Sequence, residues 1–127
     1  MASLGIEIAR LAPGEIELTM PYAAEFTQQH GFIHAGIIAT ALDSACGYAA
    51  FSLMPADAGV LTVEFKTSLM APAKGQRFFF RGKVLKPGKT LTFCSAAAIA
   101  EDNGVKREVA SMTGTLMAIY DRPGITH

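Results

Sequence analysis

Charge is scarce in this chain. Only 17% of its 127 residues are Asp, Glu, Lys or Arg, and eleven acids cancel eleven bases to a formal net charge of zero. Soluble domains usually carry about 25% charged residues. Without a basic excess, neither nucleic acid nor an anionic membrane surface is expected as a partner, because both are bound through clustered positive charge. Half of the residues are hydrophobic, which excludes a disordered chain. Cysteine is almost missing. Cys46 and Cys94 stand 48 positions apart with no CxxC and no Cys/His ligand spacing. Neither a disulfide scaffold nor a metal site is expected, and both cysteines read as small buried apolar residues. Met1 to Leu11 lacks a basic start followed by an apolar run, so no secretory signal is read there. Repeats, linkers, GxSxG, GxGxxG and a P-loop are absent as well.

What is present fits one domain, residues 1–127. A chain this small, apolar and neutral is expected to bury an apolar face in a homo-oligomer. The longest apolar stretch, Phe32 to Ala56, carries Asp43 at its middle and many Ala. A mid-bilayer Asp costs about 2.5–3.5 kcal/mol and small residues gain little from lipid, so a cytoplasmic protein with no membrane contact is the expectation.

Along the chain, Leu4–Leu11 and Glu15–Met20 alternate as two strands around the turn Ala12-Pro13-Gly14. Tyr22–His30 is polar and short, a helical turn and loop. Ala35 to about Met54 is Ala-rich and stops at Pro55, so it reads as a helix. Four extended segments follow: Val60–Met70, Gln76–Leu85, Thr90–Ala100 and Val105–Tyr120, with turns at Pro87-Gly88 and Asp102-Asn103-Gly104. The order β-β-α-β-β-β-β predicts an α+β fold with a mostly antiparallel six-stranded sheet. The helix is apolar nearly all round, which calls for cover on most sides. A sheet curled around it supplies that cover, and Ala96, Ala97, Ala98 and Ala100 allow close approach. Phe78-Phe79-Phe80 reads as core and interface.

Asp43 is the only charged residue between Glu25 and Asp57. A carboxylate buried in the middle of a helix is costly when unpaired. It is either hydrogen-bonded to a neighbour for structural reasons or is a tuned catalytic acid. The helix entry Gly31-Phe32-Ile33-His34-Ala35-Gly36 is the second candidate, because free backbone N–H groups at a helix start stabilise an oxyanion. Its plainer reading is an ordinary entry where Gly36 permits close packing. Gln28, His30 and His34 add polar groups upstream. Asp43 lies eight residues beyond Ala35, about 12 Å along a helix axis. One carbonyl needs both groups at about 3 Å, so either one of them is not catalytic or two subunits share the site. His34 is twelve residues from Cys46, too far to activate it within one chain. Lys83, Lys86 and Lys89 cluster at a strand turn, as a solvated hairpin or a phosphate contact.

The run Gln28-Gln29-His30-Gly31-Phe32-Ile33-His34-Ala35-Gly36, followed by Leu42-Asp43, resembles the signature of the hotdog-fold acyl-CoA thioesterases. The branch is that of the phenylacetic-acid-degradation thioesterase and thioesterase superfamily member 2. Its pattern is Asn or Gln-x-x-Gly-x-x-His-Gly-Gly, with an acid seven residues after the last glycine. The likeness extends through Thr62-Val63-Glu64-Phe65, Met70-Ala71-Pro72-Ala73 and Val84-Leu85-Lys86-Pro87-Gly88-Lys89-Thr90. It implies a sheet wrapped around a long helix, a homodimer, often a dimer of dimers, with sites at the subunit interface, and an acyl-CoA substrate without a further cofactor. By position it implies that Asp43 activates water or attacks directly, that Ala35 N–H binds the thioester oxygen, and that Gln28 holds water or thioester. His34 and Gly36 would shape the helix start and Thr62 would assist Asp43. Lys86, Gly88, Lys89 and Thr90 would lie near coenzyme A. Ala35 stands where the pattern has its first glycine, and Gln28 where the branch has Asn. Phe26, Phe32, Met54 and Leu69 are expected around an apolar acyl group, aryl-acetyl or medium-chain. A dehydratase on the same fold and a non-catalytic acyl-CoA sensor are the alternatives.

Overall fold

The computed structural model describes residues 5–22 and 33–120. The elements run β1 (Glu7–Ala12), β2 (Glu15–Pro21), α1 (Ala35–Phe51), β3 (Ala58–Leu69), β4 (Arg77–Lys86), β5 (Leu91–Asp102) and β6 (Val105–Tyr120). This is the expected order, and most boundaries shift by one to three residues. The segment read as a helical turn before α1 falls in residues 23–32, outside the described residues. Two turns rest on positive φ. Gly14, at +75°, closes β1 onto β2, while Asn103 and Gly104, at 50° and 83°, join β5 to β6. Both central residues of that second turn take the left-handed region, as a two-residue hairpin matched to strand twist requires.

The six strands form one sheet in the order β1-β2-β4-β5-β6-β3, and every neighbouring pair is antiparallel. Because β2 and β3 lie on opposite sides of this order, the chain between them must cross the sheet, and α1 is that crossing. Small residues let it sit close. A Cβ on Gly82 of β4 would lie 2.6 Å from the Ala45 carbonyl oxygen of α1, so only glycine fits beneath that turn. Ala96, Ala98 and Ala100 are buried along β5, whereas Ala97 alternates to the outer face and is half-buried. The core between helix and sheet holds Leu18, Met20, Ile38, Leu42, Phe78, Phe80, Met112 and Leu116, all fully buried. Each such side chain contributes about 1.5–3 kcal/mol of hydrophobic stabilisation. Phe79 points the other way, with Lys106 Nζ 4.6 Å above its ring.

Two expectations are corrected. The helix ends at Phe51 rather than near Met54. Ser52 stops it: its hydroxyl donates to the Ala49 carbonyl at 2.7 Å and accepts the Gly14 N–H at 2.7 Å. The helix is also not covered on most sides. Its sheet face is buried, but Gly36, Thr40, Tyr48 and Phe51 are exposed, because one sheet reaches only one side of a cylinder. The edge strand β3 is similarly bare, with Leu61, Val63, Phe65 and Leu69 each about half exposed. Among the described residues, no helix is long and apolar enough to cross a membrane.

Candidate active site

Asp43 leaves α1 on the side of β3, where the sheet has its edge, so it is half-buried rather than enclosed. Its partner is Thr62, whose hydroxyl donates to Asp43 Oδ1 at 2.9 Å. One carboxylate oxygen is thereby held while the other has no partner among the described residues. Thr62 faces the helix because it pairs with buried Leu116, in the row Thr62–Leu116–Thr92 across three strands. A register shift between Thr62 and Glu64 follows directly; such bulges re-aim side chains at a strand edge.

The helix start is built differently. His34 is the N-cap, and its side chain makes no capping hydrogen bond. The Ile37 and Ile38 N–H groups turn back to the His34 carbonyl at 3.0 and 3.2 Å. Ala35 and Gly36 are exposed, and their N–H groups have no acceptor among the described residues. Ala35 is not among the residues with positive φ, so its backbone has no need of the glycine found in the thioesterase pattern. A Cβ on Gly36 would meet nothing within 4 Å among the described residues. Close packing against the described residues is therefore not what Gly36 provides; it leaves the helix start open on their side. Behind this start is a shallow cavity of about 150 Å³, lined by Ile33, Ala35, Ile38, Leu69, Val109 and Ala110 among others. The Ile33 N–H bond to the Ala73 carbonyl, at 3.0 Å, ties the helix entry to the segment after β3.

The structure thus joins Asp43 with Thr62, and Ala35 with Leu69, but keeps the two pairs apart. Leu69 pairs with Ala110 on β6, whereas the Thr90 carbonyl accepts the Ala118 N–H. Eight residues of β6 separate those points, about 26 Å. The hairpin bearing Lys86, Gly88, Lys89 and Thr90 therefore belongs to the Asp43–Thr62 end, not to the helix start. Gly88 has a structural duty there, since a Cβ would collide with the Leu91 carbonyl. Met54 does not line the acyl cavity as expected, because it lies past the opposite end of α1. Gln28, His30, Phe26 and Phe32 fall outside the described residues. Ile33, Ile38, Val109 and Ala110 were not anticipated as lining; their apolar alternation marks them only as core.

A larger concavity of about 680 Å³ lies on the outer face of the sheet. Its walls include the ion pairs Arg10–Glu15 and Arg81–Glu17, at 3.5 and 2.8 Å, and of the candidate residues it takes in Lys83, which stands apart from Lys86 and Lys89 there. Cys46, one turn beyond Asp43, is buried and free, as is Cys94. Burial, then the neighbouring Cys94 and Asp43, push the Cys46 thiol up to about 12, and burial takes Cys94 to about 11. Neither supplies a thiolate nucleophile. Among the described residues, no three His, Cys, Asp or Glu side chains are grouped to hold a metal ion.

A carboxylate held by a threonine and an open helix start thus lie on one helix packed against a six-stranded sheet. The thioesterase superfamily pattern matches residues 30–106. The chain belongs to the thioesterase superfamily. It is 34% identical over 91 residues to human acyl-coenzyme A thioesterase 13, covering 71% of this chain and 64% of that one. The crystal structure of a thioesterase family protein from Silicibacter pomeroyi is 59% identical, with a TM-score of 0.94 over 95% of this chain and 89% of that one. The Escherichia coli PaaI protein shares the fold, with a TM-score of 0.82 at 20% identity, covering 93% and 82% of the two chains. The chain spans somewhat under two thirds of the length of the curated relatives it matches, 62–64%. The architecture of this superfamily member is the hotdog arrangement, one helix on a six-stranded antiparallel sheet.

Proposed function

We propose that this thioesterase superfamily member hydrolyses acyl-CoA thioesters at a site assembled from two copies of the chain. The observation that carries the reading is the separation, on one helix, of a threonine-held carboxylate and an open N-terminus beside an apolar cavity. Eight residues of helix keep them about 12 Å apart, so one chain cannot bring both to one carbonyl. Pairing of two β3 edges in antiparallel register about a point between Phe65 and Lys66 places Thr62 of one copy opposite Leu69 of the other. Asp43 then faces the partner's helix start and cavity. The half-exposed apolar residues of β3 supply the surface such pairing would bury, and a dimer of dimers would cover α1's exposed face.

In this site the acyl group occupies the cavity beside Leu69, and the thioester oxygen accepts the Ala35 N–H, with Gly36 leaving room for its approach. His34 caps the helix without competing for those donors. The free oxygen of Asp43 takes a proton from water as its oxygen bonds to the carbonyl carbon. Collapse of the tetrahedral intermediate breaks the C–S bond and expels the CoA thiolate, a leaving group that needs no dedicated acid. An oxyanion donor of this kind is worth about 10²–10³ in rate. Lys86 and Lys89, on the hairpin shaped by Gly88 and Thr90, lie at the Asp43 end, where the CoA phosphates would emerge.

The test is thiol release from a panel of aryl-acetyl and medium-chain acyl-CoAs. Asp43→Asn should lower turnover at least 100-fold while leaving the fold intact by circular dichroism. Undiminished turnover by that variant refutes the assignment, and tight binding without thiol release favours a sensor. Mixed dimers of Asp43→Ala and Ala35→Pro chains test sharing, because Pro removes the N–H. If the site is shared, one of the two sites is whole and activity returns.

A further inference from the structure

The pairing of β5 with β6 slips by one residue at the apolar cavity beside the helix start. Ala98 pairs with Ala110 but Ile99 pairs with Glu108, so Val109 is an extra residue of β6 with no partner on β5. Strict alternation would turn Val109 to the face opposite Ala110. The bulge turns it inward instead: Val109 and Ala110 are both 1% exposed, while Glu108 is open to solvent. Bulges re-aim side chains in this way beside active sites. Val109 lines the cavity next to Ala110 and is the last residue of β6, toward the β5–β6 hairpin, to do so. Its backbone is pinned as well, because its carbonyl accepts the Met70 N–H at 2.8 Å and the Ala71 N–H at 3.1 Å. With the Ile33 N–H on the Ala73 carbonyl, the helix entry, the segment after β3 and the bulge are tied into one wall. Every side chain in that wall is apolar.

We infer that Val109, turned inward by this bulge, sets the length of the acyl group that the chain accepts. The inference rests on the acyl-CoA reading above and adds a size to it, about six carbons beyond the carbonyl. A cavity of about 150 Å³ with apolar walls has room for one benzene molecule. Ala35, whose N–H receives the thioester oxygen in that reading, lines the same cavity, so the acyl carbons start there. From Ala110, the partner of Leu69, β6 runs on to Leu116, the partner of Thr62. Val109 stands on the other side of Ala110 and closes the cavity away from Thr62. A longer chain meets a β-branched side chain, stiff at χ1, on a backbone held by two hydrogen bonds. Each methylene that fits strengthens binding about four-fold, and one that does not fit gains nothing. A polar group on the chain would lose water and find no side-chain partner, so the class is plain hydrocarbon, a short chain or a single ring.

The experiment measures kcat/KM for straight-chain acyl-CoAs from butanoyl to dodecanoyl, one carbon at a time. The wild type should gain about four-fold per methylene up to heptanoyl- or octanoyl-CoA and gain nothing, or fall, beyond it. Val109→Ala removes two methyl groups and should move that break about two carbons longer. Val109→Ile adds one methylene and should draw it back by about one, with the core still filled if the alanine variant fails to fold by circular dichroism. Glu108→Gln, on the same bulge but facing outward, should leave the break in place. A wild type that still gains at dodecanoyl-CoA overturns the inference, as does a break that moves with neither Val109 variant. Calorimetric binding of the straight-chain carboxylates, butanoate to dodecanoate, reads the same limit without hydrolysis. If no thioester is cleaved but carboxylate binding breaks at a length that follows Val109, the limit stands and the hydrolase reading falls. Thioester cleavage with an unmoved break sinks the limit alone.

Discussion

Thr62 does for Asp43 what the helix alone cannot: it fixes one carboxylate oxygen at 2.9 Å and leaves the other free. A hydrogen bond to a charged group contributes about 1.5–3 kcal/mol, so its loss is measurable. Thr62→Val should lower kcat about ten-fold, and Thr62→Ser should retain most of it, as followed by thiol release. The two cysteines make a different prediction. Their thiols are raised in the fold to about 12 and about 11, against an ordinary value of 9.0. The native state holds its protons where the unfolded chain has lost them, so this stabilisation is complete below pH 9 and fades as pH rises through the folded values. Each thiol contributes a slope of about 1.4 kcal/mol per pH unit in that window. Urea denaturation between pH 8.5 and 11 should show a shallower loss of stability for Cys46→Ala than for the wild type. Iodoacetamide at pH 8 should modify neither cysteine until the chain is unfolded.

Between elements, the closest approach of helix and sheet is at Gly82, and it decides how deep α1 sits. A methyl there meets the Ala45 carbonyl at 2.6 Å, which is backbone and has no rotamer to yield. Overpacking of this kind costs about 1–3 kcal/mol. Gly82→Ala should lower the urea midpoint accordingly, and Gly36→Ala, with nothing among the described residues within 4 Å of its Cβ, should not. The same comparison separates two glycines that look alike in sequence. One admits a helix, and the other keeps a helix start clear. The helix's length was legible from Ala content and Pro55, but its last turn was not. The stop comes from Ser52, whose hydroxyl reaches the Gly14 N–H 38 residues away in sequence, and local propensity carries no trace of such a bond.

Across the whole molecule, the bare β3 edge bears directly on the proposal of a shared site. A single chain leaves about half of Leu61, Val63, Phe65 and Leu69 in water, and the same strand carries the residues nearest both halves of the site. Placing a charge at the centre of that edge should therefore remove assembly and activity together. Phe65→Asp should run as a folded monomer by light scattering and lose acyl-CoA turnover; an active monomer would refute the shared site.

The alternation of apolar residues, the Ala-rich stretch and the placement of Gly and Pro were enough to order the strands and the helix, since periodicity and turn chemistry are local. The isolation of Asp43 among apolar residues was equally plain, as was its distance from Ala35, because helical rise is constant. What the sequence left open was which way each residue faces and how it is covered. The resemblance already set Thr62 beside Asp43, but that the hydroxyl reaches one carboxylate oxygen at 2.9 Å, that Asp43 is half open rather than enclosed, and that the β4–β5 hairpin lies at the Asp43 end follow from the pairing of β3 and β5 with β6. Those pairings join residues far apart in the chain, and only the assembled sheet settles their register.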